Sequence, residues 1–250
     1  IKKIAGALGF KLIDKTLYKN EGLIVNKSYL KIDKLLKILF EERKINNLIQ
    51  IGANDGQRFD ILNFYIKKYQ TKSLLVEPIK ENFEKLKQNY QDCNFVSFDN
   101  SAISVGDEIS YLYKVKNQYI KNYSDHIPGI TSFDKNHLIK HGVKNNHIVR
   151  ESVNSISVKD LISKNNLNSL DLLFIDAEGY DGKIAIDFLL TASILPIIIL
   201  EYIHIDSDIF KDLINLLDTK KYNILSLNEN LICYPEKDQK YIKFNWFIKI

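Results

Sequence analysis

The segment Leu48-Ile-Gln-Ile-Gly-Ala-Asn-Asp-Gly56 decides how the chain is read: an apolar strand runs straight into a turn bounded by Gly52 and Gly56. From there, apolar runs of strand length alternate with helix-period stretches, the pattern of a parallel sheet whose crossovers are helices. Strands are expected at residues 49–51, 73–77, 94–98, 172–176 and 197–201, and helices at 59–69, 79–89, 158–164, 183–190 and 207–217. The later strands are almost wholly apolar, which implies cover on both faces of the sheet. Two more strands are expected at 223–227 and 244–248, and residues 1–46 form helices outside the alternation. The expected class is therefore α/β, a Rossmann-like, mostly parallel sheet with helices on both faces. Residues 47–250 make the domain and 1–46 a small N-terminal helical appendage.

A chain of 250 residues buries one sizeable core. Its two cysteines, Cys93 and Cys233, are far apart and form no CxxC, so neither a disulfide framework nor a structural zinc site is supported and a reducing, cytoplasmic setting is expected. No apolar run approaches the roughly 18 residues that a membrane span needs. The chain has no methionine and begins at Ile1, so a preceding segment is expected. Ile4, Leu8, Leu12, Ile13 and Leu17 form an amphipathic stripe that is expected to pack onto the domain. Residues 1–50 hold 11 Lys/Arg against 5 Asp/Glu, whereas the rest holds 24 against 26. With only Arg43, Arg58 and Arg150 present, a nucleic-acid reader is excluded. Oligomeric state is not legible.

In an open α/β sheet, ligands sit beyond the carboxyl ends of the strands where strand order reverses. Gly52 and Gly56 remove side chains there, but the spacing is not GxGxxG, so a pyrophosphate is not what the turn advertises. Twenty-one residues past Gly56, Glu77 ends the second strand. A carboxylate at that tip can accept hydrogen bonds from both hydroxyls of a ribose. The glycine turn and Glu77 together describe a nucleoside pocket.

These features resemble motif I of class I S-adenosylmethionine-dependent methyltransferases and, in detail, the FkbM family. Glu77-Pro78 with Asn82, Phe83 and Leu86, the Asn100-Ser-Ala102 run with Ile103 and Ser104, residues 157–161, and Asp176-Ala-Glu178-Gly179 are similar to that family's pattern. The resemblance covers residues 47 to about 235 and implies O-methylation of a sugar, glycan or other natural-product hydroxyl. It implies that Gly52, Asn54, Asp55 and Gly56 line the methionine and ribose parts, that Glu77 binds the ribose, and that Asn100, Ser101 and Ala102 lie near the adenine. Asp181 departs from the family pattern, in which a longer Glu often stands there.

Asp176 ends the fourth strand beside the glycine turn, close to both cofactor and acceptor, and is the first choice for orienting or deprotonating the hydroxyl. Glu178 either faces the acceptor or caps the next helix. Glu201 and His204 crowd the tip of the fifth strand, and His204 is the second candidate base. Asp176, Glu201 and Asp206 are compatible with Mg2+, which nothing in the sequence demands. Residues 114–150 break the α/β rhythm and carry four of the five histidines; they are assigned to the small-molecule or saccharide acceptor, with His137 and His141 as contacts. His137, His141 and His147 are not read as a metal set. Two rival readings are a non-catalytic nucleoside-binding or assembly module and a dinucleotide-dependent sugar-modifying enzyme; the latter lacks its third glycine and a Tyr-x-x-x-Lys pair.

Overall fold

The computed structural model describes residues 31–106, 111–124 and 127–242. The chain passes from α1 (Ile32–Ile38) and a π-helical turn (Leu39–Arg43) into β1 (Asn47–Ile51), α2 (Asn63–Tyr69), β2 (Lys72–Val76), α3 (Lys80–Asn89) and β3 (Val96–Asp99). An insertion follows: β4 (Ala102–Ser104), β5 (Tyr111–Val115), α4 (Lys135–Lys140), β6 (Ile148–Ser152) and β7 (Ser155–Ser157). The alternation resumes with α5 (Val158–Lys164), β8 (Leu172–Ile175), α6 (Asp181–Thr191), β9 (Ile197–Glu201), α7 (Ser207–Thr219), β10 (Tyr222–Leu227) and β11 (Asn230–Pro235).

Among the described residues, seven strands form one sheet in the order β10-β11-β9-β8-β1-β2-β3. β3, β2, β1, β8 and β9 run parallel, and β11 is antiparallel to both its neighbours. The chain winds from β1 outward to β3, then returns to β8 on the other side of β1. Strand order reverses at that pair, and a crevice opens beyond their carboxyl ends.

The period-two alternation of the strands sorts their side chains onto two cores. Ile49, Ile51, Leu74, Val76, Leu173, Ile175, Ile198 and Leu200 meet Leu161 of α5, Phe188 of α6 and Leu213 of α7. On the opposite face Leu48, Leu75, Leu172, Phe174, Ile197 and Ile199 meet Leu36 of α1, Ile66 of α2 and Leu86 of α3. Each such side chain contributes about 1.5–3 kcal/mol by leaving water, so a one-residue register slip would exchange the faces and is strongly disfavoured. The described part of the N-terminal segment shares this core, since Leu35, Leu36, Leu39 and Phe40 are all buried in it.

Several expectations shift. The helix expected from residue 59 starts at Asn63, because Phe59 sits at φ +58° and Asp60 Oδ1 takes the Leu62 N–H at 2.8 Å. Its first four residues are spent on loop. A strand that the sequence reading missed, β11, pairs with β10 across Asn228 and Glu229, with Asn228 at φ +54°. The strand expected at 244–248 and the amphipathic stripe from Ile4 to Leu17 lie outside the described residues. Residues 114–150 are no structureless loop. They carry a small core of their own, with Val115, Ile127, Ile130, Leu138, Val143 and Ile148 buried together beside the antiparallel β5–β6 pair. Among the described residues no helix is long and apolar enough to cross a membrane.

Candidate active site

A cleft of about 510 Å³ lies beyond the carboxyl ends of β1, β2, β8 and β9, roofed by the insertion through Gly129, Thr131 and Phe133. Its floor is the turn after β1. Gly52, at φ +82°, is obligatory for a second reason: a Cβ there would stand 1.9 Å from the carbonyl oxygen of Asp176. The backbones of the two central strand tips touch, and no side chain fits between them. The Gly52 and Ala53 amides donate to Val76 O at 2.9 and 3.0 Å, which bends the chain toward β2.

That bend delivers the turn to Glu77. Its carboxylate is buried and accepts the Asn54 amide at 2.9 Å on Oε2 and the Ile79 amide at 2.9 Å on Oε1. Burial raises its pKa to about 7, against the pull of those amides. Asn54 itself is left-handed at φ +49° and faces the cleft. Ser101 and Ala102 line the same side.

Three residues expected at the cofactor do not line the cleft. Asp55 turns away and takes the Gln57 and Arg58 amides at 3.0 and 2.8 Å. Gly56 is glycine because helix α3 presses on it, a Cβ there meeting Leu86 Cδ1 at 2.4 Å and Tyr90 Cε2 at 2.8 Å. Asn100 spans the backbone, donating to Glu77 O at 2.8 Å and Pro78 O at 3.1 Å. All three shape the wall from behind and none is among the residues that line the cleft.

Opposite Glu77, Asp176, Glu178, Glu201 and His204 all line the cleft. Burial, then the charges of Glu178 and Asp60, raise the pKa of Asp176 to about 7. Burial, then Asp176, Glu178 and Asp181, raise Glu201 to about 8. His204 is held below its ordinary value by burial and by the rings of His137 and His141. A group of carboxylates so placed repels itself and calls for a cation in the cleft.

The turn after β8 is held by a residue to which the sequence reading gave no role. Asp181, the first residue of α6, is fully buried and accepts the Ala177 and Gly179 amides at 3.3 and 3.1 Å, so it pins the turn that precedes the helix, and neither it nor Glu178 caps α6. Burial and Asp176 raise its pKa to about 8. The shorter Asp reaches those amides from within the first turn of the helix. Glu178, at φ +49°, lies with Oε2 2.9 Å from His137 Nε2.

Gln50 and Asp60 were also missed. Gln50 Nε2 donates to Asp60 Oδ1 at 3.1 Å, and both line the cleft. Gln50 Oε1 and Asp60 Oδ2 are buried with no partner among the described residues, two acceptors in want of a donor. The signal for Gln50 was visible as a polar residue in an otherwise apolar strand; Asp60 gave none. Asp206 does not join Asp176 and Glu201 in an oxygen cage, because its side chain caps α7 through the Asp208 amide at 2.9 Å. His147 is remote from the cleft-lining set, stacked on Tyr119 at 3.8 Å. His137 and His141 do come together with His204, contrary to the sequence reading, as a group able to hold a metal ion.

A family model described as the methyltransferase FkbM domain matches residues 50–224. Among solved structures, the methyltransferase FkbM from Methylobacillus flagellatus KT is similar at 13% identity and a TM-score of 0.45, over 76% of this chain and 44% of that one. The chain thus spans less than half the length of that protein. The O-methyltransferase TomG from Streptomyces achromogenes, involved in tomaymycin synthesis and crystallised with SAM, is similar at 11% identity and a TM-score of 0.41, over 93% of this chain and 94% of that one. No curated protein matches. The family match runs from the base of the glycine turn into β10 and takes in most of the cleft, so the chain belongs to the FkbM methyltransferase family.

Proposed function

We propose that the chain transfers a methyl group from S-adenosylmethionine to a hydroxyl of a sugar, glycan or other small molecule, within the cytoplasm. The observation that carries this is the set of carboxylates around one cleft, Glu77, Asp176 and Glu201, kept partly protonated near neutral pH by burial and mutual repulsion. A ligand with a fixed positive charge relieves that repulsion, and S-adenosylmethionine brings both a sulfonium and an ammonium group. The residues present fit it. Glu77 has lone pairs left for a ribose diol beside the bare backbone of Gly52, Gln50 and Asp60 offer unpartnered acceptors to the ammonium, and Ser101 and Ala102 border the space for the base.

Bound there, the cofactor supplies an electrophilic methyl group. Asp176 meets the acceptor hydroxyl and takes its proton, and a pKa near 7 suits that work at neutral pH. Glu201 and His204 border the acceptor side, where the neutral imidazole is the reserve base. Phe133 and Thr131 of the insertion close the roof, which supports giving the insertion to acceptor recognition. The dinucleotide reading loses support from the loop itself. α2 begins at Asn63, seven residues past Gly56, so no helix start faces the turn to receive a pyrophosphate.

Calorimetry with S-adenosylhomocysteine and with NAD tests the reading. Binding of the first and not the second is expected, and the reverse refutes it. Asp176→Asn is expected to lower kcat by roughly 10²–10⁴ with cofactor affinity nearly unchanged, as for a lost general base. Glu77→Gln is expected to weaken the cofactor by about 1–3 kcal/mol, since a charged acceptor is lost and the new amide group confronts a backbone N–H.

A further inference from the structure

His137 and His141 stand at i and i+4 on α4 and its C-cap, which sets both rings on one face of the helix. His204 reaches the same point from the loop after β9. The ring centroids lie 4.6, 4.8 and 5.0 Å apart, and one nitrogen from each ring lies within 4.8 Å of the other two. Nitrogens bound tetrahedrally to one Zn2+ sit about 3.3 Å apart, so small rotations of the rings complete a site.

Support comes from behind. Glu178 Oε2 lies 2.9 Å from His137 Nε2. A carboxylate accepts, so Nε2 carries the proton and Nδ1 keeps its lone pair, the arrangement that orients metal-bound imidazoles. Glu178 is locked in that pose, left-handed at φ +49° and with its carbonyl taking the Ser132 hydroxyl at 3.0 Å. In front, His141 and His204 border the same cleft as Asp176 and Glu201.

We propose that His137, His141 and His204 bind one divalent transition-metal ion, Zn2+ in the first instance, with a remaining coordination position open to the cleft for the acceptor's oxygen. Three imidazoles select Zn2+, Co2+, Ni2+ or Cu2+ over Mg2+, which wants oxygen ligands. The ion is redox-silent. It draws charge from the acceptor oxygen as the hydroxyl proton passes to a cleft carboxylate, the oxygen–methyl bond forms, and the methyl–sulfur bond breaks with its electron pair on sulfur. The acceptor role rests on the methyl-transfer reading; binding of the ion does not.

The test uses the full chain stripped with a chelator, then titrated with Zn2+ against a chromophoric chelator and with Co2+ followed by its visible absorption. One equivalent of Zn2+ bound, unaffected by excess Mg2+, is expected, with cobalt bands that shift on adding acetohydroxamate as an oxygen ligand. His141→Ala and His204→Ala should each weaken Zn2+ binding at least tenfold, and Glu178→Gln by roughly 10–100-fold as for a lost supporting carboxylate. S-adenosylhomocysteine affinity in the histidine variants reports that they still fold. No stoichiometric Zn2+ in the unaltered chain, or undiminished Zn2+ in His204→Ala, overturns the site; cobalt bands blind to acetohydroxamate overturn the open position. Failure of the unaltered chain to bind S-adenosylhomocysteine removes the methyl-donor reading and leaves the metal result standing.

Discussion

Replacing Gly52 by alanine tests the contact on which the whole cleft depends. Two costs arise, and the structure provides a way to separate them. At φ +82° an L-residue pays about 1–2 kcal/mol in backbone strain. The added Cβ also lands 1.9 Å from Asp176 O, more than 1 Å inside any normal contact, and the obstacle is backbone rather than a pliable side chain. Overpacking of that kind adds about 1–3 kcal/mol. Gly106 is the control, since it has the same φ of +82° and, among the described residues, nothing within 4 Å of its would-be Cβ. Gly106→Ala therefore carries the backbone cost alone. Urea unfolding followed by fluorescence should show Gly52→Ala destabilised by about 2–5 kcal/mol, with a fall in Tm of roughly 4–20 °C, and Gly106→Ala by only the smaller share. Because the clash pushes the tip that bears Asp176, turnover should fall by roughly 10² even where the variant stays folded, the scale of an ångström misplacement. Equal destabilisation by the two substitutions would refute the close approach of β1 and β8.

The ligand-free protein should lose stability as pH rises from about 4.5 to about 8, because Glu77, Asp176, Asp181 and Glu201 have pKa values raised on folding from the ordinary carboxylate range to about 7 or 8. Groups raised on folding stabilise fully below their ordinary values and lose that contribution as pH climbs to the folded ones; each proton that the folded protein keeps and the unfolded chain has lost contributes a fall of about 1.4 kcal/mol per pH unit, which flattens once pH passes the folded value. Urea midpoints across that range check it, and a midpoint that climbs with pH is the contrary result. Arg43→Met should cost about 3–5 kcal/mol, since Arg43 pairs with Asp171 at 3.0 Å and with nearly buried Asp238 at 2.5 Å. These groups lie at the amino ends of β1 and β8, so S-adenosylhomocysteine affinity should be unchanged; a loss below 1 kcal/mol in unfolding experiments means the pairs are incidental.

What the sequence by itself determined was the sheet and the glycine turn at the carboxyl edge, where the cleft lies. Strand runs such as residues 197–200 are apolar throughout because both faces are covered, and burial writes itself into composition over consecutive residues. The glycine turn with Glu77 was legible for the same reason: a strand tip, a turn and an acid at a set distance are local features. The sequence left Glu178 between facing the acceptor and capping α6, and only the fold shows that it turns to His137 while Asp181 holds the turn before the helix. The packing of Gly56 against α3 was not legible, because a glycine that admits a ligand and one that admits a helix look alike in one dimension. The tertiary structure alone decided the order inside residues 114–150, whose core is built from positions with no common period. It alone brought His204 to His137 and His141, since a loop after β9 and a helix in the insertion, more than 60 residues apart in the chain, meet only when the insertion folds over the carboxyl edge of the sheet. Spacing along the chain records contacts within one helix or turn, and contacts between elements are set by packing.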